Sequence, residues 1–238
     1  HRDHAAPQRF CQGDDVRVET LRRHLRLPEN ARLLVYAGRF TPEKKLPLLI
    51  EAVRKLGRPY HLVLIGGGAE LPRYPQITYL PFKRNQRQLA RLLASCDVLV
   101  HPGDCETFGL IVLEAMACGL PVVATDGGGV AELVDERTGI LARSNCADSL
   151  AGAIEAIYAR NLAELGANAR RKASEYYDWN EILPQVMRRY QAVLGTREQD
   201  EPGARAERRQ TVADRVGEGR PEPRDVEQAV EHRGLAAR

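Results

Sequence analysis

The chain has 238 residues, 43% of them hydrophobic and 5% aromatic, enough to bury one α/β core with tails. Its formal charge of +3 comes from interspersed acids and bases. That pattern has no basic stripe, so no nucleic acid is expected as a partner, while peripheral association with an anionic membrane surface stays open. No apolar run approaches the roughly 20 residues needed to span a bilayer, and no signal peptide is visible. The first residue is His1 rather than Met, so a longer protein is expected. The five cysteines (Cys11, Cys96, Cys105, Cys118 and Cys146) show no C-x-x-C spacing and read as reduced core thiols of a cytoplasmic protein.

In chain order, Leu33 to Ala37 reads as a buried strand, followed by a loop and an amphipathic helix over Pro47 to Leu56. His61 to Ile65 is a second strand running into Gly66-Gly67-Gly68, and Ile77 to Leu80 a third. A helix from Asn85 to Ala94 leads into a fourth strand, Val98 to Val100. The apolar helix within Gly109 to Cys118 follows and is stopped by Gly119-Leu120-Pro121, after which Val122 to Thr125 and Gly139 to Leu141 supply two more strands. Such alternation implies parallel strands with helical crossovers, hence an α/β doubly wound, Rossmann-like sheet. Trp179, Ile182, Leu183, Val186, Met187, Tyr190, Val193 and Leu194 then recur at helical spacing, a stripe that either packs on its own domain or meets a partner. From Thr196 the composition turns to Arg, Glu, Asp, Gly and Pro, and disorder is expected.

Ligands of such sheets bind beyond the carboxyl ends of the strands, and the suggestive loops all fall there. These are Gly38-Arg-Phe-Thr-Pro-Glu-Lys44, the Gly66 to Gly68 run, His101 to Thr107 and Asp126-Gly-Gly-Gly129. Arg39 offers a planar fork and Lys44, or its neighbour Lys45, a point charge, which together suit a diphosphate. Glu114 is the one carboxylate in an apolar helix, and Glu106 stands eight positions earlier, before that helix begins. An unpaired buried charge costs several kcal/mol, roughly, so Glu114 needs either an Arg elsewhere in the core or a ligand. A ligand between the two acids would lie on the helix amino terminus, which favours oxygen-rich anionic groups. The cluster His101, Asp104, Cys105 and Glu106 matches no closed zinc spacing.

The segment Glu106-Thr-Phe-Gly-Leu-Ile-Val-Leu-Glu114-Ala-Met-Ala-Cys-Gly-Leu-Pro-Val-Val-Ala resembles the E-x7-E segment of retaining glycosyltransferases of family 4, of GT-B fold. Gly38-Arg-Phe-Thr-Pro-Glu-Lys44 resembles their diphosphate-binding loop, with a leaning toward bacterial mannosyltransferases. The resemblance implies a nucleotide-sugar-binding domain over residues 28–195, the carboxy-terminal half of such an enzyme. Residues 1–27 would be a remnant of the interdomain segment and 196–238 a charged tail. It implies that Arg39, Lys44 and Glu106 are catalytic, the cations on the departing diphosphate and Glu106 on sugar hydroxyls. Glu114 would take the ribose, with Gly38, Gly67, Gly68, Thr107, Phe108, Gly109 and Leu110 around the donor and Phe82 near the base. No metal or other cofactor is implied, and D-x-D is absent.

The donor first implied is GDP-mannose, with UDP-glucose or UDP-N-acetylglucosamine next, and the acceptor a glycan or lipid. The acceptor-binding amino-terminal half of the family is missing, and none of His1, His4 or His24 stands in for its catalytic-site His. Transfer by the chain alone is therefore not expected. The alternatives are a non-catalytic donor-binding subunit, a truncated inactive fragment, or a sugar-nucleotide epimerase. A dinucleotide-dependent oxidoreductase would need G-x-G-x-x-G in the first turn, where the chain has Gly38-Arg-Phe-Thr-Pro-Glu.

Overall fold

The computed structural model describes residues 19–199. Helix α1 (Glu19–His24) precedes β1 (Arg32–Phe40), a short 3-10 turn (Pro42–Lys44) and α2 (Leu46–Leu56). Then come β2 (Tyr60–Gly68), β3 (Ile77–Pro81), α3 (Gln86–Ala94), β4 (Val98–His101), α4 (Leu110–Ala117), β5 (Val122–Thr125), α5 (Val130–Leu133) and β6 (Gly139–Ala142). Three helices close the described chain: α6 (Ala147–Tyr158), α7 (Leu162–Tyr176) and α8 (Trp179–Gln199).

The six strands form one sheet, order β3-β2-β1-β4-β5-β6, with every pairing parallel. Alternate residues of each strand enter opposite cores, as the two-residue period of a strand requires. Leu33, Val35 and Ala37 of β1 pack with Leu93, Val112, Met116 and Ala169, while Leu34 and Tyr36 pack with Leu49, Val53, Leu150 and Ile154. Both faces are thus covered by helices, the condition under which a parallel sheet is stable. The strand order reverses between β1 and β4, so the loops leaving those two strands flank a crevice.

The doubly wound parallel sheet is as the sequence implies, but several boundaries move. β1 continues through Gly38 and Arg39 to Phe40 because these residues pair with Gly66, Gly67 and Gly68, which are themselves part of β2 rather than a loop. A Cβ on Gly66 would lie 1.9 Å from the Gly38 carbonyl oxygen and one on Gly68 2.5 Å from that of Phe40, so these two glycines serve close strand pairing, while a Cβ on Gly67 would meet nothing. Helices α6 and α7 were not among the expected elements. Their amino ends are capped by the Cys146 sulfur, which accepts from Ser149 N, and by Asn161 Oδ1, which accepts from Glu164 N.

Helix α1 joins the domain through Leu21, which enters the core, and Arg22, whose Nη2 lies 2.7 Å from both Asp97 carboxylate oxygens. Asp97 Oδ2 also accepts from Leu33 N at 2.7 Å. Cys118 is disulfide-bonded, contrary to the expectation of reduced thiols, whereas Cys96, Cys105 and Cys146 are free. The chain divides into two units after Pro184. The first holds the sheet; the second, within the described residues, is the remainder of α8. That helix runs through Thr196 to Gln199, four residues into the segment expected to be disordered, and the rest of that tail lies outside the described residues. No helix among the described residues is long and apolar enough to cross a membrane.

Candidate functional site

The loops after β1 and β4 meet across the crevice through two ion pairs. Lys44 Nζ contacts Glu106 Oε2, and Lys45 Nζ contacts Asp104 Oδ2. Lys45 also donates to Asn145 Oδ1 at 2.6 Å, and Asn145 Nδ2 lies 3.5 Å from Asp104 Oδ2, so the loop after β6 is drawn in as well. Lys45 and Asn145 both adopt left-handed backbone conformations, φ 49° and 55°. For a lysine that conformation is uncommon and costs on the order of 1 kcal/mol. The two lysines that the sequence left competing therefore divide the work. Lys44 faces Glu106, and Lys45 fastens three loops together.

Glu106 is held by two groups on the same oxygen. His101, the last residue of β4, places Nε2 3.5 Å from Oε2, the atom that Lys44 also contacts. Burial alone would raise the Glu106 pKa, but the Lys44 ammonium and His101 outweigh it and hold the carboxyl below its ordinary range. Burial pushes His101 below its ordinary value, with the Glu106 charge acting in the opposite direction. Asp104 is likewise lowered, first by its hydrogen bond from Lys45, and in turn accepts from the Cys105 thiol at 3.3 Å. Arg39 is 76% exposed on its side chain, and its guanidinium lies 3.9 Å from Glu43.

The E-x7-E segment folds as a tight loop feeding α4. Gly109, the residue before the helix, has φ 78°, and a Cβ there would meet Val130 Cγ2 at 2.8 Å, so this position requires glycine twice over. No side chain caps the amino end of α4, so its first N–H groups have no side-chain partner. The loop rests on Gly127 to Gly129: Gly129 N donates to Glu106 O at 2.7 Å, and a Cβ on Gly129 would lie 2.2 Å from Thr107 O. The Asp126 to Gly129 run, read from the sequence as one of four ligand loops, thus supports the backbone of Asp104 to Phe108 from beneath. Thr125 Oγ1 strengthens that support by donating to the carbonyls of Pro102 and Gly103, each at 3.2 Å.

Glu114 has neither an ion pair nor a side-chain hydrogen bond among the described residues, so no core arginine explains it. Burial alone pushes its pKa up to about 7. Helix α4 is not buried all round, as its apolar sequence implied: Leu110, four residues before Glu114 and on the same face, is half exposed. Thr107 and Phe108 are exposed beside it, with the Phe108 ring edge-on to Tyr177. The structure therefore brings Arg39, Lys44, Glu106, Thr107, Phe108, Gly109, Leu110 and Glu114 to the β1/β4 end of the sheet. Gly67, Gly68 and Phe82 extend along the same rim toward the β3 edge, where Phe82 is 64% exposed. His101 is the residue the sequence reading missed as a partner of Glu106. Its signal was a histidine directly after three buried apolar strand residues.

Among the described residues, no group of three or more His, Cys, Asp or Glu side chains is placed to hold a metal ion. A groove of about 570 Å³ lies elsewhere, between α2 and the β2–β3 connection, lined by Ile50, Arg54, Pro72 and Tyr74 among others. It contains none of the residues singled out in the sequence.

The chain is 33% identical over 209 residues to the D-inositol 3-phosphate glycosyltransferase of Stackebrandtia nassauensis, covering 77% of this chain and 46% of that protein. It is 37% identical over 179 residues to the GDP-mannose-dependent alpha-mannosyltransferase of Mycolicibacterium smegmatis, covering 71% and 46%. The chain spans about half the length of the curated relatives it matches. In fold it is similar to Anabaena Alr3699/HepE, solved in complex with UDP-glucose, with a TM-score of 0.68 at 24% identity over 78% of this chain and 55% of that one. The model of the glycosyl transferases group 1 family matches residues 17–176. The chain belongs to the group 1 glycosyl transferases.

Proposed function

We propose that this domain binds the nucleotide-sugar donor of a retaining, metal-independent hexosyltransferase. In this reading Arg39 and Lys44 bind the diphosphate, Glu106 the sugar hydroxyls and Glu114 the ribose. The uncapped N–H groups at the start of α4 and the backbone from Thr107 to Leu110 receive sugar and phosphate oxygens. Phe82 and the strand ends at Gly38, Gly67 and Gly68 line the approach to the base. The observation that carries it is Glu114, a mostly buried carboxylate without a cation, one turn inside a helix whose amino end has no side-chain cap. Such a group is explained by hydroxyls that would donate to it.

GDP-mannose is the first donor to test, supported by the likeness to a GDP-mannose-dependent mannosyltransferase, with UDP-glucose second. The acceptor, a glycan or lipid, is assigned to the part of the relatives' length that this chain does not span. Calorimetry with GDP, UDP and ADP tests the reading on the wild type and on Arg39→Ala and Glu114→Ala. One nucleoside diphosphate is expected to bind, and each substitution to weaken it about tenfold or more, the loss of a charge-assisted hydrogen bond. Binding unchanged in both variants, or none in the wild type, would remove the site.

A further inference from the structure

Resting on that reading, the arrangement behind Glu106 can be taken one step further. Two nitrogens, Lys44 Nζ and His101 Nε2, converge on Oε2, the second at 3.5 Å. That leaves Oε1 to meet a ligand. A diphosphate arriving at Lys44 would draw the ammonium away from Glu106, since a doubly charged group outcompetes a carboxylate for one cation. The carboxylate must then be held by something else in a site from which water is being displaced. His101 is the group already in place.

His101 is 1% exposed and its Nδ1 is buried without a hydrogen-bond partner, against a ring contact with Tyr36 at 6.3 Å between centroids. The groups facing it are Glu106 and Lys44 from the neighbouring loops, the Gly103 backbone, which favours a proton on the ring, and Tyr36 from β1. An imidazolium would carry a proton on each nitrogen, and the Gly103 backbone beside the ring makes no well-formed hydrogen bond with Nδ1. Burial also lowers its pKa, which favours the neutral ring. Of the two neutral tautomers, the one protonated on Nδ1 buries that unpaired donor and turns a lone pair toward a carboxylate. The other directs Nε2–H at Glu106. We infer that His101 is a positioning residue, whose Nε2–H holds the Glu106 carboxylate toward the donor sugar once Lys44 engages the diphosphate.

The test compares a sugar nucleotide with its bare diphosphate. GDP-mannose and GDP are titrated calorimetrically into the wild type, His101→Leu and His101→Gln, with UDP-glucose and UDP as the second pair. A hydrogen bond to a charged group corresponds to about tenfold or more in affinity. His101→Leu should therefore weaken the sugar nucleotide about tenfold and leave the bare diphosphate within about twofold, because only the former needs Glu106 in position. His101→Gln, whose Nε2–H reaches a similar point, should recover most of the loss. Equal weakening of both ligands, no weakening, or failure of Gln to recover would overturn the proposal as a packing effect.

Long-range 1H–15N spectra of the wild type provide a readout that needs no ligand. A neutral ring protonated on Nε2 that shifts in Glu106→Gln is expected, and protonation on Nδ1 refutes the inference. If the wild type binds neither pair, the reading of the site has failed, and these spectra alone decide whether His101 holds Glu106.

Discussion

Replacing Glu114 by Gln should make the ligand-free protein more stable at pH 8 while weakening its grip on a nucleotide. The folded protein raises the Glu114 pKa from 4.5 to about 7 by burial, with no cation to offset it. At 1.36 kcal/mol per pH unit, that interval corresponds to about 3 kcal/mol by which ionised Glu114 disfavours the fold above pH 7. The sign follows from proton binding. Between pH 4.5 and 7 the folded state holds the proton more tightly than the unfolded chain, so stability falls as pH rises through this window and levels off above it. Glutamine keeps the size and has no charge, so the gain over wild type should approach about 3 kcal/mol at pH 8 and vanish near pH 4.5. Urea unfolding at half-unit pH steps measures the difference directly. A Glu114→Gln protein less stable than wild type at pH 8, or a difference independent of pH, would show that the carboxylate has a favourable partner and would refute the argument.

Two further outcomes are expected from the same geometry. Asp97→Ala removes the partner of the partly buried Arg22 and strands Leu33 N, and should cost about 1 to 3 kcal/mol in denaturant unfolding, the usual loss when a buried donor is left unsatisfied. Gly109→Ala places a methyl 2.8 Å from Val130 at φ 78°, and should destabilise by about 1 to 3 kcal/mol. Because that residue aims the first turn of α4, nucleotide affinity in calorimetry should fall with it.

The sheet was legible in the sequence because its strands are buried on both faces and read as short unbroken apolar runs between helical patterns, as Leu33 to Ala37 and Val98 to Val100 do. The site was legible where chemistry contradicts its surroundings. Glu114 is a charge within an apolar helix, and Arg39 and Lys44 follow a core strand directly. What the sequence concealed depends on contacts far apart along the chain. That Gly66 to Gly68 extend a strand follows only from their pairing with Gly38 to Phe40. The supporting role of Gly127 to Gly129 needs the backbone of Asp104 to Thr107 above them. Helix α7 was hidden by composition, since Gly and Ala fill its buried positions beside Leu165, whereas α6 carries Leu150, Ile154 and Ile157 at helical spacing and was legible. His101 was weighed as part of a ligand loop and as a metal ligand, and its place against Glu106 follows only from the fold.

The clasp of Lys45, Asp104 and Asn145 ties together positions 59, 100 and 41 residues apart. Each of its members leaves the carboxyl end of a different strand, and the last does not exist until β6 has joined the sheet. A nascent chain halted before residue 145 could build most of the central strands and still lack the third anchor of the crevice. That anchor requires β6 to be in place. A substitution at Asn145, remote from Glu106 in sequence, would be felt there as loosened geometry rather than as a missing contact.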